Sequence, residues 1–233
     1  MIRRIALGAA ALSALSAMSV SAFAADATHP TVVELFQSQG CSSCPPANAN
    51  VIALSARPDI LALSFQVTYW DQLGWKDTFG SPQYTARQWE YARALRHDNV
   101  WTPQVVINGR ADVVGIQKGE IERAIARADR GDGGPQITIA GARVSIAGTA
   151  PARPAGVWLV RYDPNIVQVP IRRGENGGLT LPHKNIVKSL TRLGEWSGPA
   201  KSYALPAPDG SGLKSAVLVQ AGPGGPILAA ARS

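Results

Sequence analysis

The sequence predicts an α/β module with element order β-α-β-α-β-β-α, followed by a small all-β module with the character of a sandwich. Three observations carry that prediction. Up to residue 130, short β-branched and aromatic runs alternate with helical patterns. Arg130-Gly131-Asp132-Gly133-Gly134-Pro135 then reads as a linker or exposed turn. Beyond it, short apolar runs recur between many Gly and Pro residues without a helical period. A length of 233 residues accommodates two such modules, and 45% hydrophobic against 17% charged residues excludes global disorder.

Residues 1–24 read as a signal peptide. Arg3 and Arg4 form a positive start, Ile5 to Val20 a mostly apolar stretch, and Ala22-Phe23-Ala24 an A-x-A cleavage site. Ser13, Ser16 and Ser19 interrupt the apolar stretch, which is shorter than the roughly 20 residues a membrane span needs. The expected organisation is therefore signal peptide 1–24, first module 25–134 and second module 135–233, with export to the periplasm or beyond. The first module carries 10 basic and 12 acidic residues, net −2; the second carries 11 and 4, net +7. The basic surface thus belongs to the second module, where it suits solubility or attraction to anionic envelope surfaces.

Within the first module, Thr31 to Phe36 is a β-branched and aromatic run suited to a buried strand. Ala47 to Ala56 follows as a helix, with Pro45 and Pro46 acceptable only in its first turn. Ile60 to Val67 is a second strand, and Ser81-Pro82 opens a helix to His97 with a cap and a proline. Pro103 to Asn108 is a third strand, Asn108-Gly109 a hairpin turn, and Ala111 to Ile116 the return. Lys118 to Asp129 closes the module as a helix with Ile121 and Ile125 facing the sheet. In the second module, strands are expected at Gln136–Ala140, Ala142–Ile146, Val157–Tyr162, Val167–Ile171, Ser202–Leu205, Lys214–Gln220 and Ile227–Ala230.

Chemistry concentrates at Cys41 and Cys44, the only cysteines, where the first strand hands over to the first helix. A structural zinc site needs two further ligands, and His29, His97 and His183 sit at no recognised spacing. A C-x-x-C pair in an oxidising compartment is then either an inert structural disulfide or a redox couple. Unpaired N–H groups and the dipole at a helix start stabilise a thiolate, which favours redox chemistry. Cys41 is the expected exposed, attacking thiol, and Cys44, one turn on, resolves the mixed disulfide.

The strand–Cys41-Ser42-Ser43-Cys44–helix arrangement, with Trp101-Thr102-Pro103 ahead of the third strand, resembles the thioredoxin superfamily. The resemblance implies that Pro103 is cis and lies against the cysteines, and that Thr102 offers its backbone to an extended substrate. More closely, the leader, Glu34-Leu35-Phe36-Gln37-Ser38-Gln39-Gly40-Cys41-Ser42-Ser43-Cys44-Pro45-Pro46, Tyr69-Trp70-Asp71 and Arg173-Gly174-Glu175-Asn176 are similar to the exported bacterial DUF1223 family, which has a thioredoxin-like domain. Two departures from ordinary thioredoxins stand out: Gly40 replaces the tryptophan before the first cysteine, and two serines replace the Gly-Pro pair.

Glu34, in the first strand, is a candidate proton shuttle for the dithiol; the alternative is a carboxylate that reaches solvent or pairs with a basic neighbour. Tyr69, Trp70, Asp71, Trp75, Lys76 and Asp77 form a loop at the strand end where α/β proteins bind ligands. They either cover the dithiol and admit a peptide or small thiol, or anchor a long loop. Trp101 is placed near the sulfurs by its neighbours Thr102 and Pro103. Trp89 and Tyr91 are expected to pack. Arg172, Arg173, Glu175 and Asn176 are expected as a solvated charged turn, with docking on the first module as the alternative.

The leading functional expectation is a periplasmic thiol–disulfide oxidoreductase. Its catalytic residues would be Cys41, Cys44, Thr102, Pro103 and Glu34, and its substrate-binding residues Trp101, Tyr69, Trp70 and Asp71. Its partners would be peptide or small-molecule thiols and disulfides and an envelope redox protein, with no organic cofactor, metal or stable membrane span. A thioredoxin-like envelope binding module with a structural disulfide is the alternative, and Cu(I) handling by the two thiolates ranks last. Stretches around Lys184–Lys188 and Arg192 lack the interleaved aromatics of a nucleic-acid site.

Overall fold

Every residue from Thr31 to Gln37 is buried, as a strand covered on both faces requires, and this strand (β1) is an interior strand of an eight-stranded sheet. The structure, a computed structural model, describes residues 25–131 and 133–233; the signal-peptide reading falls outside the described residues. Chain order continues with α1 (Cys44–Leu54), β2 (Ile60–Gln66), α2 (Pro82–Leu95), β3 (Gln104–Ile107), β4 (Ala111–Val113) and α3 (Lys118–Arg127). This is the expected β-α-β-α-β-β-α order. Parallel β1 and β2 pair Thr31 with Ile60 through Gln37 with Gln66, and antiparallel β3 lies on the other side of β1. Asn108 and Gly109 take positive φ at the β3–β4 turn, and β4 stops at Val113, short of the expected Ile116.

Alternation along the strands sorts the helices. Val33 and Leu35 of β1 meet Ala47, Val51 and Leu54 of α1 and Ile121 and Ala124 of α3. Val32 and Phe36 point to the opposite face, where Tyr84 and Tyr91 of α2 pack. Ser81 caps α2 by accepting from the Gln83 N–H.

The second part of the chain contributes β5 (Gln136–Ala140), β6 (Arg143–Ala147), β7 (Ala155–Asp163), β8 (Val167–Pro170), β9 (Thr180–His183), β10 (Ile186–Trp196), β11 (Lys201–Ala204), β12 (Lys214–Gln220) and β13 (Ile227–Arg232). The all-β character is as expected, and β5, β6 and β11 form a separate three-stranded sheet. Its Val144, Ile146 and Tyr203 pack on Val157, Leu159, Trp196 and Val217, giving a sandwich.

The other layer of that sandwich continues the first module's sheet, in the order β13-β12-β7-β10-β2-β1-β3-β4. The junction is the parallel pairing of Ile186 in β10 with Ser64 in β2. The core on the α2 face therefore runs unbroken from Val32 and Phe65 to Val160, Leu218 and Ile227. β9 and β10 were not among the expected strands. The longest strand, β10, carries two register breaks and a mixed polar pattern around Lys188, Thr191 and Arg192, which hide its two-residue period.

Candidate active site

At the carboxyl end of β1, Ser38-Gln39-Gly40 delivers Cys41, and Cys44 is the first residue of α1. The helix thus begins three residues earlier than the expected Ala47, with Pro45 and Pro46 in its first turn. Cys41 and Cys44 form a disulfide. The Thr102–Pro103 peptide bond is cis, and the Thr102 carbonyl oxygen lies 3.8 Å from Cys41 Sγ. Ser43 Oγ is 3.3 Å from the same sulfur and donates to the Thr102 carbonyl at 3.4 Å. From α2, Gln88 Nε2 holds the turn by donating to the Trp101 carbonyl at 2.7 Å and to Gln104 Oε1 at 2.9 Å. Trp101 sets its ring edge-on to His97 at 4.9 Å.

Contrary to the expected exposed thiol, Cys41 is 0% and Cys44 1% exposed, although Ser42 and Ser43 between them reach solvent. Two long-range segments pack against the turn that carries the cysteines. One is the 69–79 loop. Trp75 Nε1 donates to Gln39 Oε1 at 2.9 Å, and Asp77 Oδ2 accepts from the Gln39 N–H at 2.7 Å. The other is the 171–179 loop between β8 and β9. Asn176, buried, donates through Nδ2 to the carbonyls of Gln39 at 2.8 Å and Cys41 at 2.9 Å. Glu175 Oε2 accepts from both the Ser42 N–H at 3.0 Å and its hydroxyl at 2.7 Å. These hydrogen bonds hold the Glu175 carboxyl below its usual range. Docking, not a solvated turn, is what Glu175 and Asn176 do.

This clamp changes the electrostatics at Cys41. The Ser42 N–H that would help stabilise a thiolate is taken by a carboxylate, and Pro45 and Pro46 have no N–H to offer. The Ser43 hydroxyl lies closer to the sulfur than the Thr102 carbonyl does.

Of the other expected site residues, Tyr69 lies beside Thr102 and Gln88; burial pushes its hydroxyl up to about 12. Trp70 packs against the α2-face core. Asp71 opens a short 3-10 turn and accepts from the Asp77 N–H at 3.0 Å. Within that loop, Trp75 and Asp77 make the contacts with the cysteine segment. Glu34 alternates onto the α2 face, away from α1. Its Oε1 accepts from Arg87 Nε at 2.8 Å and its Oε2 from Arg87 Nη2 at 3.2 Å, with the Tyr91 hydroxyl also donating to Oε2. The carboxylate pairs with a basic neighbour and is not brought to the sulfurs as a shuttle. Gln220 of β12 completes the network, accepting from Arg87 Nη1 and donating to Tyr91. Burial opposes the Arg87 charge, but Glu34, Tyr91 and Glu90 together outweigh that and hold the guanidinium pKa above its ordinary value.

A second polar cluster lies on the α1 face. Gln37 Nε2 donates to Asn48 Oδ1 at 3.1 Å and to Ser64 Oγ at 2.6 Å, while Asn48 donates to the Pro182 carbonyl of β9. His183 follows, buried, with neither ring nitrogen hydrogen-bonded in the structure. No group of three or more His, Cys, Asp or Glu among the described residues is arranged to hold a metal ion.

Two of these buried groups make opposed contributions to stability. Burial raises the Asp77 carboxyl to about 6 and lowers the His183 imidazole to about 4. The Asp77 contribution is full below about pH 4 and lost as pH rises through 6. The His183 contribution is full above about pH 6.5 and lost as pH falls through 4. Each is worth on the order of 3 kcal/mol, so they nearly cancel between pH 4 and 6.5. Urea unfolding of Asp77→Asn is expected to show stability rising with pH across that window, and His183→Gln stability falling. Profiles parallel to wild type would refute the assignment.

A family model described as "Protein of unknown function (DUF1223)" matches residues 32–220. The crystal structure of protein AGR_C_4864 from Agrobacterium tumefaciens is 31% identical, covering 87% of this chain and 92% of its own, with a TM-score of 0.71. HBP35 of Porphyromonas gingivalis is 13% identical over 88% of this chain and 75% of its own, with a TM-score of 0.55, a likeness of fold alone. No curated protein matches the chain.

Proposed function

We propose that this chain, which belongs to the DUF1223 family, is a thiol–disulfide oxidoreductase of the periplasm. The observation that carries this reading is the Cys41–Cys44 disulfide at the start of α1, with the Thr102 carbonyl 3.8 Å from Cys41 Sγ. The leader-like pattern of residues 1–24 supports export.

The chemistry needs no further group. A substrate thiolate attacks Cys41 Sγ; the Cys41–Cys44 bond breaks, and its electron pair leaves on Cys44 as a thiolate. A second substrate thiolate then attacks the sulfur joined to Cys41, releasing substrate disulfide and a Cys41 thiolate. Two electrons pass to the protein, and both thiolates take up the protons lost by the substrate thiols. The reverse sequence reduces a disulfide, and the couple's potential sets the direction. Thr102 lines the approach to Cys41, with Trp101 and Tyr69 as flanking surface. The 171–179 loop must yield before a thiol reaches the sulfur.

A second reading, a binding module with a structural disulfide, draws on the burial of both cysteines. Cys44→Ser separates the two. Under the redox reading, this variant accumulates a mixed disulfide at Cys41 when exposed to a peptide disulfide, seen as an added mass on intact-protein mass spectrometry. Under the structural reading, Cys41 stays unmodified in the folded variant.

A further inference from the structure

At the opposite end of β1 from the disulfide lies a cavity of about 880 Å³, lined by three arginines, Arg110, Arg130 and Arg153, and by apolar walls that include Trp196, Leu228 and Pro154. Its position is fixed by the sheet. Arg130 Nη2 donates at 2.9 Å to the carbonyl of Pro30, the residue before β1, whereas Cys41 follows the strand's far end. Seven strand residues separate the two by about 20 Å. The cavity draws on both parts of the chain: Arg110 follows the β3 turn, and Arg153 and Trp196 flank β7 and end β10.

The chemistry of its lining is one-sided. Arg130 Nε is buried without a hydrogen-bond partner, a costly state for a guanidinium donor. Burial lowers the Arg130 pKa; Asp129 nearby opposes that shift, and Arg110 adds to it. Asp129 and Asp26 attract the Arg130 charge from nearby without pairing with it: Asp129 accepts from the Gly131 N–H, and Asp26 from Thr28 and His29. Among the described residues, no carboxylate forms an ion pair with any of the three arginines. A volume near 900 Å³ is in the range that encloses a small organic ligand, and its apolar walls have no use for a bare inorganic ion. A planar carboxylate matches the guanidinium fork, and a hydrocarbon body matches the proline and tryptophan walls.

We propose that this cavity is a binding site for an amphiphilic carboxylate, with Arg130 and Arg153 holding the head group and the Trp196–Leu228 wall holding the apolar body. The site is separate from the dithiol and does not depend on its redox role.

Calorimetric titration of the purified protein tests this with decanoate below its micelle concentration, against decanol, decyltrimethylammonium and acetate. Decanoate is expected to bind one to one, with decanol and acetate each at least about tenfold weaker, as loss of one charge-assisted bond or of the apolar body implies. Decyltrimethylammonium should not bind. Arg130→Gln should weaken decanoate by about tenfold or more. Because Arg130 also tethers Pro30, the double variant Arg110→Gln/Arg153→Gln, at exposed positions, provides a second arm and should weaken decanoate without unfolding. Equal affinity for decanol and decanoate, unchanged affinity in the folded double variant, or no decanoate binding to wild type would each overturn the proposal.

Discussion

Replacing Arg87 with alanine is expected to destabilise the protein by about 3–5 kcal/mol, the cost of leaving a buried charge unpaired. For a chain of this size, that corresponds to a fall in melting temperature of roughly 10 °C or more. Arg87 is 3% exposed and Glu34 0%, so solvent cannot replace the lost partner. The guanidinium also lies over the rings of Phe65, Tyr91 and Trp158 at 5.8, 5.0 and 5.9 Å, contacts that vanish with it. Because Arg87 reaches Gln220 Oε1, the loss is felt in both parts of the chain. Glu34→Gln, which keeps volume and hydrogen-bonding capacity, strands the guanidinium instead and is expected to cost a similar amount. A double replacement, Glu34→Leu with Arg87→Met, removes both charges and should recover much of the loss. A double variant no more stable than Arg87→Ala would show that the pair is not the source. If Glu34 instead served the dithiol, the double variant would lose exchange activity even with stability restored.

The second large effect is kinetic. Asn176→Ala removes the donor shared by the Gln39 and Cys41 carbonyls, a cost of about 1–3 kcal/mol for groups left buried and unpaired. The same free energy holds the 171–179 loop against the cysteine turn, so reduction by dithiothreitol should accelerate by about tenfold or more. Glu175→Gln should act in the same direction without emptying the buried position. Its carboxylate opposes thiolate formation beside Ser42, and neutralising it makes the pair easier to reduce. Stopped-flow reduction, read by alkylation of Cys41 and Cys44, measures both. Lower melting temperature with unchanged reduction rates would make Asn176 structural only.

The first module was legible because its signals are local. Val32, Phe36 and Leu63 sit in apolar runs, Ser81-Pro82 announces a helix, and the Cys41–Cys44 spacing places both sulfurs at one strand–helix junction. The sheet's continuation was not legible, since Ile186 meets Ser64 through backbone pairing that no side-chain pattern records. Asn176 was hidden for a related reason: its partners are two main-chain carbonyls 137 and 135 residues away. Glu34 stands out as an acid inside an apolar strand, but the residue that explains it lies on α2. One signal was available there: Tyr84, Arg87, Gln88 and Tyr91 share a helical face, and a buried face carrying an arginine needs a buried acid. Helix starts are usually exposed, whereas Cys41 is buried, and the loops that pack on its turn come from elsewhere in the chain.

Whether Cys41 and Cys44 form a working redox couple is read from the potential of their disulfide. Equilibration of the purified protein in glutathione buffers, with the two cysteines quantified by differential alkylation, gives that number. A reversible two-electron couple between about −120 and −270 mV is predicted, the span of dedicated thiol–disulfide proteins. A potential below about −300 mV would mark the bond as structural and rule out the oxidoreductase.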